Sequence, residues 1–299
     1  MLRENIFLVL LIICSLNLWA QKTNLFYLPI DDDPNKSLTY EQIIQLSHDI
    51  AVQYPNNIKF ISLGFSEQND TIPALIIYKD KADNPTEIAN QNKATLMIQA
   101  GIHAGEPDGI DAGFMLIRTL FSNTNYLDLL NKVTIIFIPV FNVDGLKLLS
   151  PYHRINQNGP ELQGWRANAH NLNLNRDYMK ASSVEMKYWL QFYYYWNPDL
   201  FIDCHTTDGA DYQYVMTFDM QLPPFMSYNF NNFFKTEFIP YFINEMDKKD
   251  FLSTQYVAFR NWFSPESGLA ASLYSPILSH GYPLLNNRPA LLLETHMLK

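Results

Sequence analysis

The chain has 299 residues, of which 47% are hydrophobic and 17% charged, with a formal net charge of −9 at pH 7. That hydrophobic share supports a large packed core, and the acidic balance, with no basic patch in view, excludes a nucleic-acid-binding protein. With only two cysteines, Cys14 and Cys204, the fold must be held by its core and not by a disulfide framework.

Residues 1–20 carry one arginine near the start, an apolar core from Ile6 to Ile13, and Ala20 before Gln21. This reads as a secretory signal peptide whose apolar core is too short to span a bilayer. Its removal would leave residues 21–299 as an exported domain, periplasmic or extracellular, with no membrane span. No Gly/Ser linker, repeat or low-complexity tract divides that domain.

Thr39 to Ala51 sets Ile43, Leu46, Ile50 and Ala51 on one helix face, ending near Pro55. Two strand-like runs follow, Ile58 to Leu63 and Ile72 to Tyr78, joined by the polar turn Ser66 to Asp70. Ala94 to Ala100 reads as a buried strand that breaks at Gly101, and a helix resumes near Asp108 with Ile110, Met115, Leu116 and Leu120. His103 and Glu106 therefore fall in the loop beyond the carboxyl end of a strand, where open α/β sheets place ligands. An imidazole and a carboxylate this close can hold one ion from a single loop, and zinc accepts such a pair with a third ligand from elsewhere.

The next strand, Val133 to Val140, closes on Asn142-Val-Asp-Gly145, which is either a plain tight turn or a support for the site. Trp165 and Arg166 lie in a polar loop. Beyond them, adjacent Asn175 and Arg176 offer an amide and a guanidinium fork that together suit a carboxylate. A helix follows over Ser182 to Tyr195, and then a short strand, Pro198 to Thr206, carries His205 at its carboxyl end, placed to meet His103 and Glu106. The last apolar strand runs from Pro289 to Glu294, and a carboxylate ending so apolar a run must be paired, hydrated or functional. Nearly all-apolar strands alternating with helices indicate an α/β domain with a largely buried sheet.

Taken in order, His103-Ala-Gly-Glu106, Asn142-Val-Asp-Gly145, Trp165-Arg166, Leu174-Asn175-Arg176, His205 and Glu294 resemble the zinc metallocarboxypeptidases typified by carboxypeptidase A. The resemblance spans essentially all of residues 21–299. It implies a mixed, mostly parallel central sheet with helices on both faces, and one Zn2+ per chain held by His103, Glu106 and His205. It also implies Glu294 as general base for a metal-activated water, and Arg166 polarising the scissile carbonyl. Asn175 and Arg176 would clamp the free C-terminal carboxylate of a peptide substrate, making the protein an exopeptidase.

The sequence departs from the family pattern at several points. Gly105 stands where the family often has an arginine, and Asn173 where many members have an aspartate, so a neutral amide would support a zinc histidine. The substrate-capping tyrosine falls to Tyr274 or Tyr282, both upstream of Glu294. The chain stops five residues after Glu294, where members usually continue, so the catalytic domain is expected to be incomplete at that end. Two other functions share these motifs: a zinc amidohydrolase acting on cell-wall peptides or N-acyl amino acids, and a catalytically silent binding domain of the same fold.

Overall fold

The structure, a computed structural model, describes residues 26–207, 211, 213–256, 258–261, 263–270 and 275–297. Residues 1–20, expected to form a signal peptide, and Tyr274 lie outside the described residues. Helix α1 (Tyr40–Gln53) precedes the antiparallel pair β1 (Ile58–Phe65) and β2 (Thr71–Ile77). Short helix α2 (Pro85–Asn90) leads to β3 (Ala94–Gln99), α3 (Asp108–Ser122), the single turn α4 (Thr124–Leu127) and β4 (Val133–Ile138). Then come α5 (Val143–Lys147), α6 (Val184–Trp196), β5 (Leu200–Thr206) and β6 (Met216–Met220). Helices α7 (Tyr228–Phe233) and α8 (Ile239–Asp247), strand β7 (Ser253–Gln255), the hairpin of β8 (Ala258–Phe259) with β9 (Leu269–Ala270), and β10 (Ala290–Thr295) follow.

The main sheet has eight strands in the order β1-β2-β4-β3-β5-β10-β6-β7. Its centre, β4-β3-β5-β10, is parallel throughout, while β1 and β2 on one flank and β6 on the other run antiparallel to their inner neighbours. Covering helices explain why the central strands read as apolar runs without alternation. Successive residues of a strand face opposite ways, and β5 shows both covers. Phe201 packs edge-on to Trp189 of α6, while Cys204, three positions on, lies against Gly109 of α3. The two helices therefore sit on opposite faces of the sheet.

Helix α1 begins with a reciprocal capping box between Thr39 and Gln42: Gln42 N donates to Thr39 Oγ1 at 3.4 Å, and Thr39 N donates to Gln42 Oε1 at 2.9 Å. Helix α3 turns inward the face that carries the expected Ile110 and Leu120, with Leu116 packed beside it, but not Met115. Ile110, Phe114, Ile117 and Leu120 are buried, whereas Met115 is 41% exposed. Gly109 and Gly113 set this orientation by lying on the sheet. A methyl group at Gly113 would fall 2.0 Å from Phe137 Cζ, and one at Gly109 would fall 2.4 Å from Cys204 Cβ.

Helix α6 is capped by Ser183, whose hydroxyl accepts from Met186 N at 3.2 Å, and ends at Asn197 in the left-handed region with φ of 43°. A second, smaller core of Phe218, Met220, Phe234 and Leu291 lies under α7 and α8. Those helices are joined by a π turn, Phe234–Phe238, directly before Pro240, whose missing N–H cannot continue an α-helical ladder.

Candidate metal centre and active site

Strands β3 and β5 pair in parallel, with Gln99 opposite Asp203, so the loop after β3 and the end of β5 meet. Glu106 sits in a turn closed by its own N–H donating to His103 O at 2.9 Å. Its carboxylate lies between the two imidazoles. His103 Nδ1 is 3.1 Å from Oε1, His205 Nδ1 is 2.9 Å from Oε2, and Thr206 N donates to Oε2 at 3.2 Å. All three side chains are buried, and their candidate ligand atoms lie within 4.8 Å of one another.

The far nitrogens are already engaged: His103 Nε2 is 3.3 Å from Asn173 Oδ1, and His205 Nε2 is 2.6 Å from Asp203 Oδ2. Both Nδ1 atoms are thereby left facing the carboxylate. His103 Nδ1 is buried and makes no hydrogen bond despite its closeness to Glu106. A buried ring nitrogen in that condition, beside a second imidazole and a carboxylate, fits a cation, and two nitrogens with one oxygen form a donor set that zinc takes.

Electrostatics agree. Burial lowers the His103 imidazole below its ordinary pKa. Burial opposes ionisation of Glu106, but His103 and His205 outweigh it and hold the carboxyl well below its usual range. Burial likewise opposes charge on His205, yet Asp203 on one side and Glu106 on the other push it well above the ordinary value. A metal ligated by a histidine takes the place of a proton on that nitrogen, so metal uptake here would compete with protonation.

Four more of the predicted residues, Arg166, Asn175, Arg176 and Glu294, line a cavity of about 100 Å3 together with Tyr256, His280 and the ligand set. Glu294 of β10 stands in parallel register with His205 of β5, which sends the two side chains to the same face. Arg166, 36% exposed, places Nη1 3.3 Å from Glu106 Oε1. Asn142 proves to be both alternatives at once. Its Oδ1 caps α5 by accepting from Gly145 N at 3.0 Å, and its Nδ2 donates to the backbone carbonyls of Trp165 and Arg166.

Asn175 Oδ1 accepts from Ser279 N at 2.8 Å, its Nδ2 lies 3.5 Å from His205 Nε2 and keeps a second N–H for a ligand, and Arg176 Nη1 donates to Asn175 O at 2.7 Å. The structure does not bring Tyr282 to the cavity. It lies among Tyr178, Trp189 and Tyr193, with its hydroxyl 2.8 Å from that of Tyr194.

Four residues of the site were not singled out from sequence. Asp203 supports His205 and is itself held by Gln99 Nε2 at 2.9 Å. Its signal was present: an aspartate two positions before a histidine in a strand shares that histidine's face. His280 is buried at the cavity, and burial lowers its pKa to about 4, so it is neutral at physiological pH. Tyr256 lines the same cavity, and Arg154 touches Glu106 at 2.8 Å from a loop 48 positions downstream. Larger clefts open elsewhere, yet among the described residues only His103, Glu106 and His205 converge as a ligand set.

A family model described as zinc carboxypeptidase matches residues 43–225, a span that holds the ligand residues, Arg166, Asn175 and Arg176 and ends before Glu294. Inactive metallocarboxypeptidases (ECM14) of Ajellomyces dermatitidis and Blastomyces gilchristii are each 32% identical over 100 residues, covering 32% of this chain and 16% of theirs. Among solved structures, the metallo-carboxypeptidase from Burkholderia cenocepacia is similar with a TM-score of 0.61 and 18% identity, over 88% of this chain and 60% of that one. Carboxypeptidase A from Helicoverpa armigera gives 0.60 and 18%, over 88% of this chain and 65% of its own. At such identities the structural likeness speaks for the fold. The chain spans about a sixth of the curated relatives' length and about six-tenths of these solved chains.

Proposed function

The chain belongs to the zinc carboxypeptidase family, and from that premise we propose that it hydrolyses the last peptide bond of peptides, with one zinc held by His103, Glu106 and His205. The observation that carries this reading is the convergence of those three buried side chains at a cavity that Glu294 also lines. Zinc bound there would supply Lewis acidity and an activated water.

The chain's own residues would do the rest. Arg176, with the Nδ2 amide of Asn175, would bind the substrate's terminal carboxylate and so choose which bond faces the ligand set. Arg166 is long and half exposed, and would trade its contact with Glu106 for the scissile carbonyl oxygen, stabilising charge that develops there. Glu294 would take the proton of the attacking water and return it to the departing amine. Residues 21–299 are proposed to act after export, with residues 1–20 as the leader.

A second reading, a catalytically silent domain, is favoured by one observation: the matched curated relatives are described as inactive. The two separate on a single preparation. Zinc content and turnover of a peptide with a free C-terminus would be measured beside the same peptide amidated, with H103A/H205A as control. Near-stoichiometric zinc with turnover lost on amidation supports the peptidase. Zinc without turnover supports the silent domain, and no zinc in the parent would sink the metal assignment.

A further inference from the structure

Position 105, between the two loop ligands, is glycine, and the space over it is filled from a distant part of the chain. A methyl group there would lie 2.7 Å from Arg154 Cγ, 3.0 Å from Arg154 Cδ and 2.6 Å from Gly164 O. The aliphatic stem of Arg154 therefore runs across Gly105. Its loop fixes it there: Arg154 N donates to Gln163 Oε1 at 2.8 Å, and Nε donates to Gln157 Oε1 at 2.6 Å. Gln157 Nε2 in turn donates to Gly105 O at 2.9 Å, tying the arginine's holder to the ligand turn itself. The guanidinium arrives buried, Arg154 being 5% exposed, with Nη2 2.8 Å from Glu106 Oε1. Arg166 reaches the same oxygen from a half-exposed position and is free to swing away, whereas Arg154 is pinned along its length.

We propose that Arg154 is a built-in counter-ion for Glu106. It is a positioning residue that holds the carboxylate aimed between His103 and His205 before a metal arrives, and it thereby weakens the metal's hold. The inference rests on the reading of His103, Glu106 and His205 as metal ligands. A buried carboxylate needs a cation beside it. In the metal-free protein Arg154 is the buried, fixed guanidinium at that carboxylate, beside the half-exposed Arg166; with a dication at the same carboxylate, the guanidinium is a second positive charge in repulsion with the first. Loss of the guanidinium must then act unequally on the two states. A side chain that only packed would act equally on both.

The test compares the parent with R154M, which keeps most of the stem, and R154K, which keeps the charge. Thermal unfolding would be followed with and without zinc, and zinc affinity by competition with a chromophoric chelator. R154M should lose much more melting temperature without zinc than with it, and should bind zinc about tenfold more tightly, the scale on which groups touching a metal ligand move affinity. R154K should stay within about twofold of the parent on the same scale. Folding of R154M only when zinc is present would support the inference.

Equal losses in both states with parental zinc affinity, a weakened affinity, or failure of R154M to fold even with zinc would each overturn it. So would R154K tightening as far as R154M. A parent that takes up no zinc overturns the metal assignment and this inference together; a zinc-binding parent with an unaltered R154M overturns this inference alone.

Discussion

At the scale of single residues, the site divides by what each side chain does with charge. Glu294 lines the cavity without joining the ligand set, so E294Q should lower turnover by about 10²–10⁴-fold while leaving zinc content at the parental level, as read by steady-state rates and metal analysis. Asp203 acts through His205. D203N should lower zinc affinity by about 10–100-fold, measured by chelator competition, because the neutral amide no longer fixes the ring and its basicity. The two histidines are supported unequally, His103 by the neutral amide of Asn173 and His205 by a carboxylate, so N173A should cost less affinity than D203N in the same assay.

The convergence of His103, Glu106 and His205 was legible in the sequence because the first two follow an apolar strand and the third stands at the carboxyl end of another, and strand ends can be counted. Asp203 was absorbed into its strand as a spacer, although period-two geometry puts it on the face of His205. Arg154 had no local signal, since its contact with Glu106 depends on the path of a loop and on a glycine's missing side chain.

At the scale of elements, periodicity revealed the central strands, α1, α3 and α6 within a few residues of their ends. It placed Met115 on the inner face of α3, where the residues closest to the sheet are in fact glycines, which carry no hydrophobic signal. G113A should therefore destabilise the fold by roughly 1–3 kcal/mol in denaturant unfolding, since the added methyl meets the ring of Phe137. The flank formed by β6, β7, α7 and α8 was not legible: its strands have five and three residues, and its helical run is broken by a π turn.

The first turn of α3 also carries Asp111, whose carboxyl is pushed up by burial to about 6. A carboxyl raised in the folded state contributes stability that is complete below its ordinary value near 4 and is lost as pH rises through about 6. D111N should accordingly flatten that part of the stability–pH curve, so that the parent's loss of up to roughly 3 kcal/mol between about pH 4 and pH 7 is absent from the variant, by denaturant unfolding at each pH.

At the scale of the whole molecule, the ligand set joins the loop after β3 to the end of β5, so zinc bound there would hold the centre of the sheet together. Chelation should lower the melting temperature, and zinc at 100 times its dissociation constant should restore about 2.7 kcal/mol, read as a concentration-dependent shift in calorimetry. The fold class was legible from the order of strands and helices, and the comparisons agree with it. The antiparallel placement of β10 against β6 was not, because neighbours in a sheet this large are not neighbours in sequence.

The adjacency of β3 and β5 has a kinetic consequence. Their ligands are separated by 99 positions in sequence, and closing that span costs chain entropy that no local contact repays. Before that span closes the chain would offer only His103 and Glu106, so zinc uptake at the proposed site would report the docking of β5 beside β3. In stopped-flow refolding, zinc present from the start should leave the early phase unaltered, and the metal signal should rise with the slowest phase, in which long-range pairing is completed.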